Sequence, residues 1–342
     1  MTEFQTVMGF EDVWRPPVRP RLVRPGSLLH PRQPTSEAIR TRLTRVVART
    51  PEVMVKVTGR TRDGAHLRAH LDYISRNGQL ELEDADGAML VGRRDVADLA
   101  QEWASAAQND SRRRIDAPVS VSVVLSMPAG TNEIALRDAA RAFAADLFAG
   151  RHDYVFTLHT DTPRPHVHLS ICARGFAGER LSPKKADLEV WRQTFAQALR
   201  DRGVEAEATP RRARGLTRKT ERTSVRKIRD RHEDGQGEMA STRRAAYQDA
   251  ARAAFGGDVG LRPWERRLLD RQAEIRRAYL AQADLLAQSA HTEDRALAAR
   301  VVAFVRSMPQ PDSQRLALAR ELRAGGRGAE PRRSSREKDR TR

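Results

Sequence analysis

The chain has 342 residues, more than one ordinary domain needs, and its 62 Lys and Arg against 45 Asp and Glu leave a formal charge of +17. A surplus of that size points to a polyanionic partner, most simply nucleic acid, with a generally Arg-rich composition as the competing source. A lone cysteine, Cys172, excludes an internal disulfide, and the absence of a membrane-length apolar run and of a signal pattern leads to the expectation of a soluble, cytoplasmic protein with no membrane insertion.

The first 34 residues are Pro- and Arg-rich without periodicity and read as a basic lead; a short helix is expected over 36–49. From Val53 the texture changes. Val53–Thr58 reads as a strand and Gly64–Ser75 as a helix with Leu67, Leu71 and Ile74 on one stripe. Asn77-Gly78 stops it, and Leu80–Glu83 with Ala88–Val91 reads as a hairpin turned at Asp84–Gly87. A helix is expected over 94–108, a strand over 119–126, and a helix capped by Thr131 or Asn132 running to 149. Strands at 154–159 and 166–173 follow, then a helix over 187–202 with Gly203 past its end. The order β-α-β-β-α-β-α-β-β-α predicts an α+β fold, one largely antiparallel sheet with helices on one face. The expected organisation is a basic arm over 1–50, partly disordered, a folded domain over 51–205, an Arg-rich linker over 206–238, a helical C-terminal region over 239–323 and a basic disordered tail over 324–342.

Three histidines and an aspartate fall within ten positions: His159, Asp161, His166 and His168. Alternate residues of a strand share a face, so Tyr154, Phe156 and Leu158 with Val167, Leu169 and Ile171 form one apolar face. Opposing His159 to His166 places Thr157 against His168 and gathers the three imidazoles on the other face, with opposed Cβ atoms about 4.5–5.5 Å apart. Such a set can hold one metal ion and leave coordination positions open, as a catalytic site does. Ligand softness favours Zn, Mn, Ni or Co over Mg, and the ion would serve as a Lewis acid. Asp161 either fixes a histidine tautomer or bonds its own turn. Cys172 reads as a small strand residue. On the earlier helix, Tyr73 lies about 130° from the centre of the apolar stripe, on the side of His66 and His70.

His66-x3-His70-Leu-Asp-Tyr73-Ile-Ser-Arg-Asn-Gly78, followed by His159 and His166-Val-His168, resembles the relaxases, the mobilization nucleases among HUH endonucleases. Val124–Gly130, Leu181–Arg192 and Ala208–Gly215 resemble further segments of that family, so the resemblance spans about 53–215. It implies an HUH-like fold and a bacterial cytoplasmic enzyme that nicks and religates one DNA strand at a transfer origin. Tyr73 would attack the phosphodiester and keep a 5′-phosphotyrosyl link; His159, His166 and His168 would hold a divalent ion, usually Mg or Mn; Asp161 would orient a histidine or assist proton removal. Ser126, Arg76, Arg164, Arg211 and Arg212 would contact DNA. Implied partners are origin DNA, single-stranded at the nick, relaxosome accessory proteins and a type IV secretion coupling protein. The C-terminal part carries no GxxxxGK[ST] loop, so unwinding would fall to another protein.

Two rival readings remain open. One is a non-haem iron oxygenase using His159, Asp161 and another histidine as a facial triad, which gives the basic charge no role. The other is a non-enzymatic DNA-binding mobilization accessory protein. Tyr73 separates them, because only a covalent adduct requires it. The basic segments 11–24 and 209–232 read as phosphate grips or as solvated linkers.

Overall fold

The computed structural model describes residues 4–15, 35–114, 116–218, 221, 223–256 and 260–325. Most of the Pro/Arg-rich lead (16–34) and the basic tail (326–342), where disorder is expected, lie outside the described residues. The chain divides into two compact units, one built mainly from Trp14–Pro210, the other from Gln5–Val13 with Arg211–Arg342.

The first unit follows the expected element order: β1 (Met54–Thr61), α2 (Gly64–Ile74), β2 (Leu82–Asp84), β3 (Met89–Leu90), α3 (Gly92–Gln108), β4 (Ser120–Ser126), α4 (Glu133–Phe148), β5 (Tyr154–His159), β6 (His166–Cys172) and α5 (Lys185–Arg200), preceded by α1 (Ser36–Val47). Asn132 caps α4 by accepting from the Ala135 amide, and Gly203 sits just past α5 at φ 73°. The strands form one antiparallel sheet in the order β1-β4-β6-β5-β2-β3. Its α+β class is as expected.

Helices nevertheless cover both faces, where one covered face is expected from the sequence. On one face α4 and α5 pack against Val121, Val123, Tyr154, Phe156, Leu169 and Ile171. On the other, Leu67, Leu71 and Ile74 of α2 and Val96 and Trp103 of α3 meet Val155 and Cys172. The reason is local: the second face alternates polar residues near the hairpin loop with apolar ones further along, so part of it is polar and part needs burial. Cys172 is buried there, and burial pushes its thiol up to about 11, which leaves it an unreactive packing group. Outside the sheet, the buried Glu207 accepts from Arg45 Nε at 2.8 Å and lies 3.5 Å from Arg42 Nε, tying α1 to the segment after α5.

The second unit pairs α8 (Pro263–Ala287) with α9 (Thr292–Arg306) and α7 (Ser241–Phe255) with α10 (Gln314–Gly325). Buried Glu265, in the first turn of α8, accepts from Ser313 at 2.5 Å and from Arg315 at 2.5 Å and 3.1 Å. Burial alone would raise its carboxyl; the bonds from Arg315, Ser313 and the Arg262 amide overcome that and hold it at about 2. Two segments hold more structure than their composition suggests. In the lead, Phe10 is buried edge-on against Tyr279, ring centroids 5.5 Å apart. In the Arg-rich stretch, α6 (Thr223–Glu233) buries no side chain among those described; Arg229 instead pairs with Glu221, Asp230 and Glu233. A helix carried by charge pairs leaves no apolar period to read. No described helix is long and apolar enough to cross a membrane.

Phe143 of α4 is fully buried, with Phe148, Trp191 and Phe195 arranged edge-on around it at 5.8–6.4 Å. Phe143→Ala should lower the stability of the first unit by about 3–5 kcal/mol. Urea unfolding followed by tryptophan fluorescence should show an earlier midpoint with an unchanged slope; an unmoved midpoint would contradict this packing.

Candidate active site

β5 and β6 pair in the register that brings the histidines together: His159 opposes His166, and Thr157 opposes His168. The ring centroids lie 4.4–5.3 Å apart, and the three residues present ligand atoms within 4.8 Å of one another. Two of the rings have one nitrogen committed to a backbone carbonyl. His159 Nε2 donates to Ile74 O at 2.7 Å, and His166 Nδ1 donates to Arg164 O at 3.1 Å. Those bonds set the tautomers and leave His159 Nδ1 and His166 Nε2 with lone pairs.

Burial, reinforced by the neighbouring His159 and His166, pushes His168 down to about 3. Burial also lowers His159, with Arg76 acting the same way and the Ile74 bond opposing it. Both are therefore neutral near pH 7, the form in which imidazole binds a metal. The donor set thus fits a divalent ion. Arg76 Nη2 lies 3.3 Å from His159 Nδ1, so an ion on that nitrogen replaces this contact.

Tyr73 reaches the cluster from the opposite direction. Asp63 caps α2 by accepting from the His66 amide at 2.7 Å. Leu67, Leu71 and Ile74 turn into the core, which leaves Tyr73 outside the stripe, 57% exposed and edge-on to His168 at 5.9 Å. After Ser75, the residues Arg76, Asn77 and Gly78 take φ values of 52°, 58° and 80°. Three successive left-handed residues turn the chain back on itself. A Cβ on Gly78 would stand 2.6 Å from the backbone of Gly92 and Arg93, so only glycine allows that approach. The turn sends Arg76 back to the site, its guanidinium 5.5 Å from the centre of the Tyr73 ring.

The remaining expected residues are spread more widely. Asp161 is exposed and forms an ion pair with Arg76, whose guanidinium bridges it to His159 Nδ1. Ser126, opposite His166, is buried, and its hydroxyl donates to Pro165 O at 3.3 Å; it steadies the hairpin loop. The exposed Arg164 stands in that loop. Arg211 and Arg212 belong to the second unit, in a 3-10 turn where Arg211 donates to Arg218 O and the Arg212 carbonyl accepts from Gln272. Asp161, expected to meet a histidine or its own turn, pairs with Arg76, a partner 85 positions away that no local pattern marks. The bond of 2.8 Å between His70 Nε2 and Ser122 Oγ is likewise absent from the sequence reading, where its one signal is that His70 and Tyr73 share a helix face.

A pH dependence follows from His168. Unfolded, this imidazole takes a proton below its ordinary 6.5; folded, it refuses one until about 3. Protonation therefore favours the unfolded chain increasingly as pH falls through that window, and has no effect above it. In metal-free buffer, His168→Gln should make the decline of the urea midpoint across this window shallower than in the wild type. Parallel curves would refute the buried, neutral state of His168.

Residues 73–204 match the family model described as relaxase, MobA/VirD2-like, nuclease domain. The T-DNA border endonuclease VirD2 of Rhizobium radiobacter is 28% identical over 206 residues, covering 52% of this chain and 48% of the relative. The VirD2 of Agrobacterium fabrum (strain C58 / ATCC 33970) is 26% identical over 207 residues, 52% of this chain and 46% of the relative. The chain thus spans about half the length of these curated relatives. Among solved structures, the MobM relaxase domain (MOBV; Mob_Pre) bound to 26nt pMV158 oriT DNA aligns with 51% of this chain and 98% of its own, at 14% identity and a TM-score of 0.37. The segment that opens on Tyr73 and closes just after α5 is thus similar to the MobA/VirD2-like relaxase nuclease domain.

Proposed function

We propose that the chain nicks and rejoins one strand of DNA at a transfer origin by tyrosine transesterification, in support of conjugative mobilization. The observation that carries this reading is the exposed phenol of Tyr73 set edge-on against His168, one of three convergent imidazoles. A phenol with a pKa near 10 is a weak nucleophile at neutral pH and needs a base or a nearby cation. Arg76 stands against the ring as that cation. Asp161, held by Arg76, is the carboxylate proposed to take the phenol proton.

Tyr73 Oη attacks the scissile phosphorus, a tyrosyl P–O bond forms, and the bond to the 3′ oxygen breaks. That oxygen leaves as a free 3′-OH after taking a proton, and the 5′ phosphate stays on Tyr73. The reverse attack by a 3′-OH restores the strand, and no ATP is consumed because the phosphodiester energy is kept in the link. His159, His166 and His168 would hold a divalent ion, which when bound supplies Lewis-acid polarisation of the scissile phosphate. The donor chemistry accommodates Mn, Zn, Ni or Co most readily, and Mg or Mn is the proposed physiological choice. Arg76, Arg164, Arg211, Arg212 and, through the loop it steadies, Ser126 are proposed to serve DNA binding. Accessory proteins and a secretion coupling protein are the proposed partners.

The test is incubation with a cognate single-stranded origin oligonucleotide, resolved on a denaturing gel. Wild type should form an adduct that EDTA abolishes and Mn restores, and Tyr73→Phe should lose it by about 10³-fold or more. An equal adduct from Tyr73→Phe sinks the assignment of Tyr73 as nucleophile, and no adduct from the wild type returns the chain to the non-enzymatic reading. Separately, His166→Ala and His168→Ala should abolish Mn binding in calorimetry while the far-UV circular dichroism stays unchanged. Wild-type Mn affinity in both variants would reject these ligands.

A further inference from the structure

The sheet register extends the histidine rows outward. One row runs His159, His166, Ser126, Met54, and the next Thr157, His168, Val124, Lys56. Directly opposed residues share a face, so Met54 and Lys56 of the edge strand β1 look out on the same side as the histidines, two strand spacings or ~10 Å beyond β6. Met54 is 47% exposed. Lys56 is exposed and, among the described residues, has no carboxylate partner.

The two edges of this face differ in charge and in cover. Toward β2, α2 and α3 close over Leu82 and Val155, while α2 also reaches β4 further from the hairpin loop, where His70 bonds Ser122. Asp84, opposed to Val155, adds a carboxylate there, with Asp86 beside it in the turn. A phosphate chain leaving the histidines in that direction meets helices and negative charge. Toward β1 it meets an exposed thioether and an exposed ammonium.

We propose that the Met54–Lys56 strip of β1 seats the single-stranded DNA next to the scissile phosphate. Lys56 contacts a non-bridging phosphate oxygen of a flanking nucleotide, and Met54 packs on the adjoining sugar or base. This rests on the transesterase reading, and it adds the direction in which the strand leaves the site.

The experiment uses the full chain carrying Tyr73→Phe, to prevent covalent capture, and a fluorescein-labelled single-stranded oligonucleotide of random sequence. Anisotropy titrations over a series of NaCl concentrations give the slope of log affinity against log salt. Lys56→Ala should weaken binding and reduce the slope by about 0.7, the value of one phosphate contact on a single strand. Lys56→Arg should retain the slope, and Met54→Ala should weaken binding with the slope unchanged. Arg137→Ala, on α4 across the sheet, should change neither. A wild-type slope in Lys56→Ala overturns the proposal, as does a loss in Arg137→Ala equal to that in Lys56→Ala. Adduct formation by the chain with Tyr73 intact is scored separately. No adduct together with a preserved Lys56 effect would reject the transesterase and leave the β1 seat standing.

Discussion

The antiparallel register between β5 and β6 is the constraint on which the site depends. Side chains alternate across a strand, so a slip of one residue would send His159, or His166 and His168, into the apolar core and bring Leu158 or Val167 to the polar face. The register is held from both sides. Phe156, Leu169 and Ile171 are buried under α4 and α5, and each slipped pairing would expose that set. β4 then pairs with β6 through seven residue pairs, from Ser120 opposite Cys172 to Ser126 opposite His166. The histidine cluster is thus a by-product of a core that admits one alignment.

The second dependence is the coupling of α2 to the cluster. His159 donates to the carbonyl of Ile74, the last residue of the helix. Tyr73 is the residue before it, and Arg76 follows two positions later through a left-handed turn. One backbone carbonyl therefore fixes the tautomer of a candidate ligand and the distance of the candidate nucleophile from it. Local strain at Arg76 and Asn77, a left-handed φ that non-glycine residues rarely adopt, persists because Gly78 locks against the Gly92 backbone. Strain of this kind gathers where geometry matters to function.

The electrostatics of the site differ from those of the chain. The molecule is strongly basic, yet burial keeps His168 and His159 neutral, and Asp161 offsets Arg76. Under the proposed function, a neutral pocket within a positive molecule would suit a polyanion: the long-range field would draw the strand, and uncharged imidazoles would leave a bound ion's charge for the phosphate.

How much was legible in the sequence divides along the range of the interactions. The strand and helix order, the shared face of His159, His166 and His168 and the position of Tyr73 off its stripe all follow from periods of 2 and 3.6 residues, which are written in contiguous sequence; the His159–His166 opposition is an assumption at that level, and the structure has it. The same holds for the glycine stops, because backbone conformation at Gly78 and Gly203 is a local property. The ion pair of Arg76 with Asp161, the bond of His70 to Ser122 and the burial of Ser126 were not legible. Each joins residues 39–85 positions apart, and polar side chains carry no periodic mark of their partners. The order within α6 escaped for a related reason, since charge pairs replace the apolar stripe. Whether helices cover one face or both was equally a tertiary matter: Val155 and Cys172 share a face with His159 and His168, and only the packed structure shows where on that face apolar burial stops. The sequence by itself determined which residues could meet at the hairpin, because alternation is local. The tertiary structure decided which cation, carboxylate and helix end stand beside them, because those contacts exist only once distant segments pack.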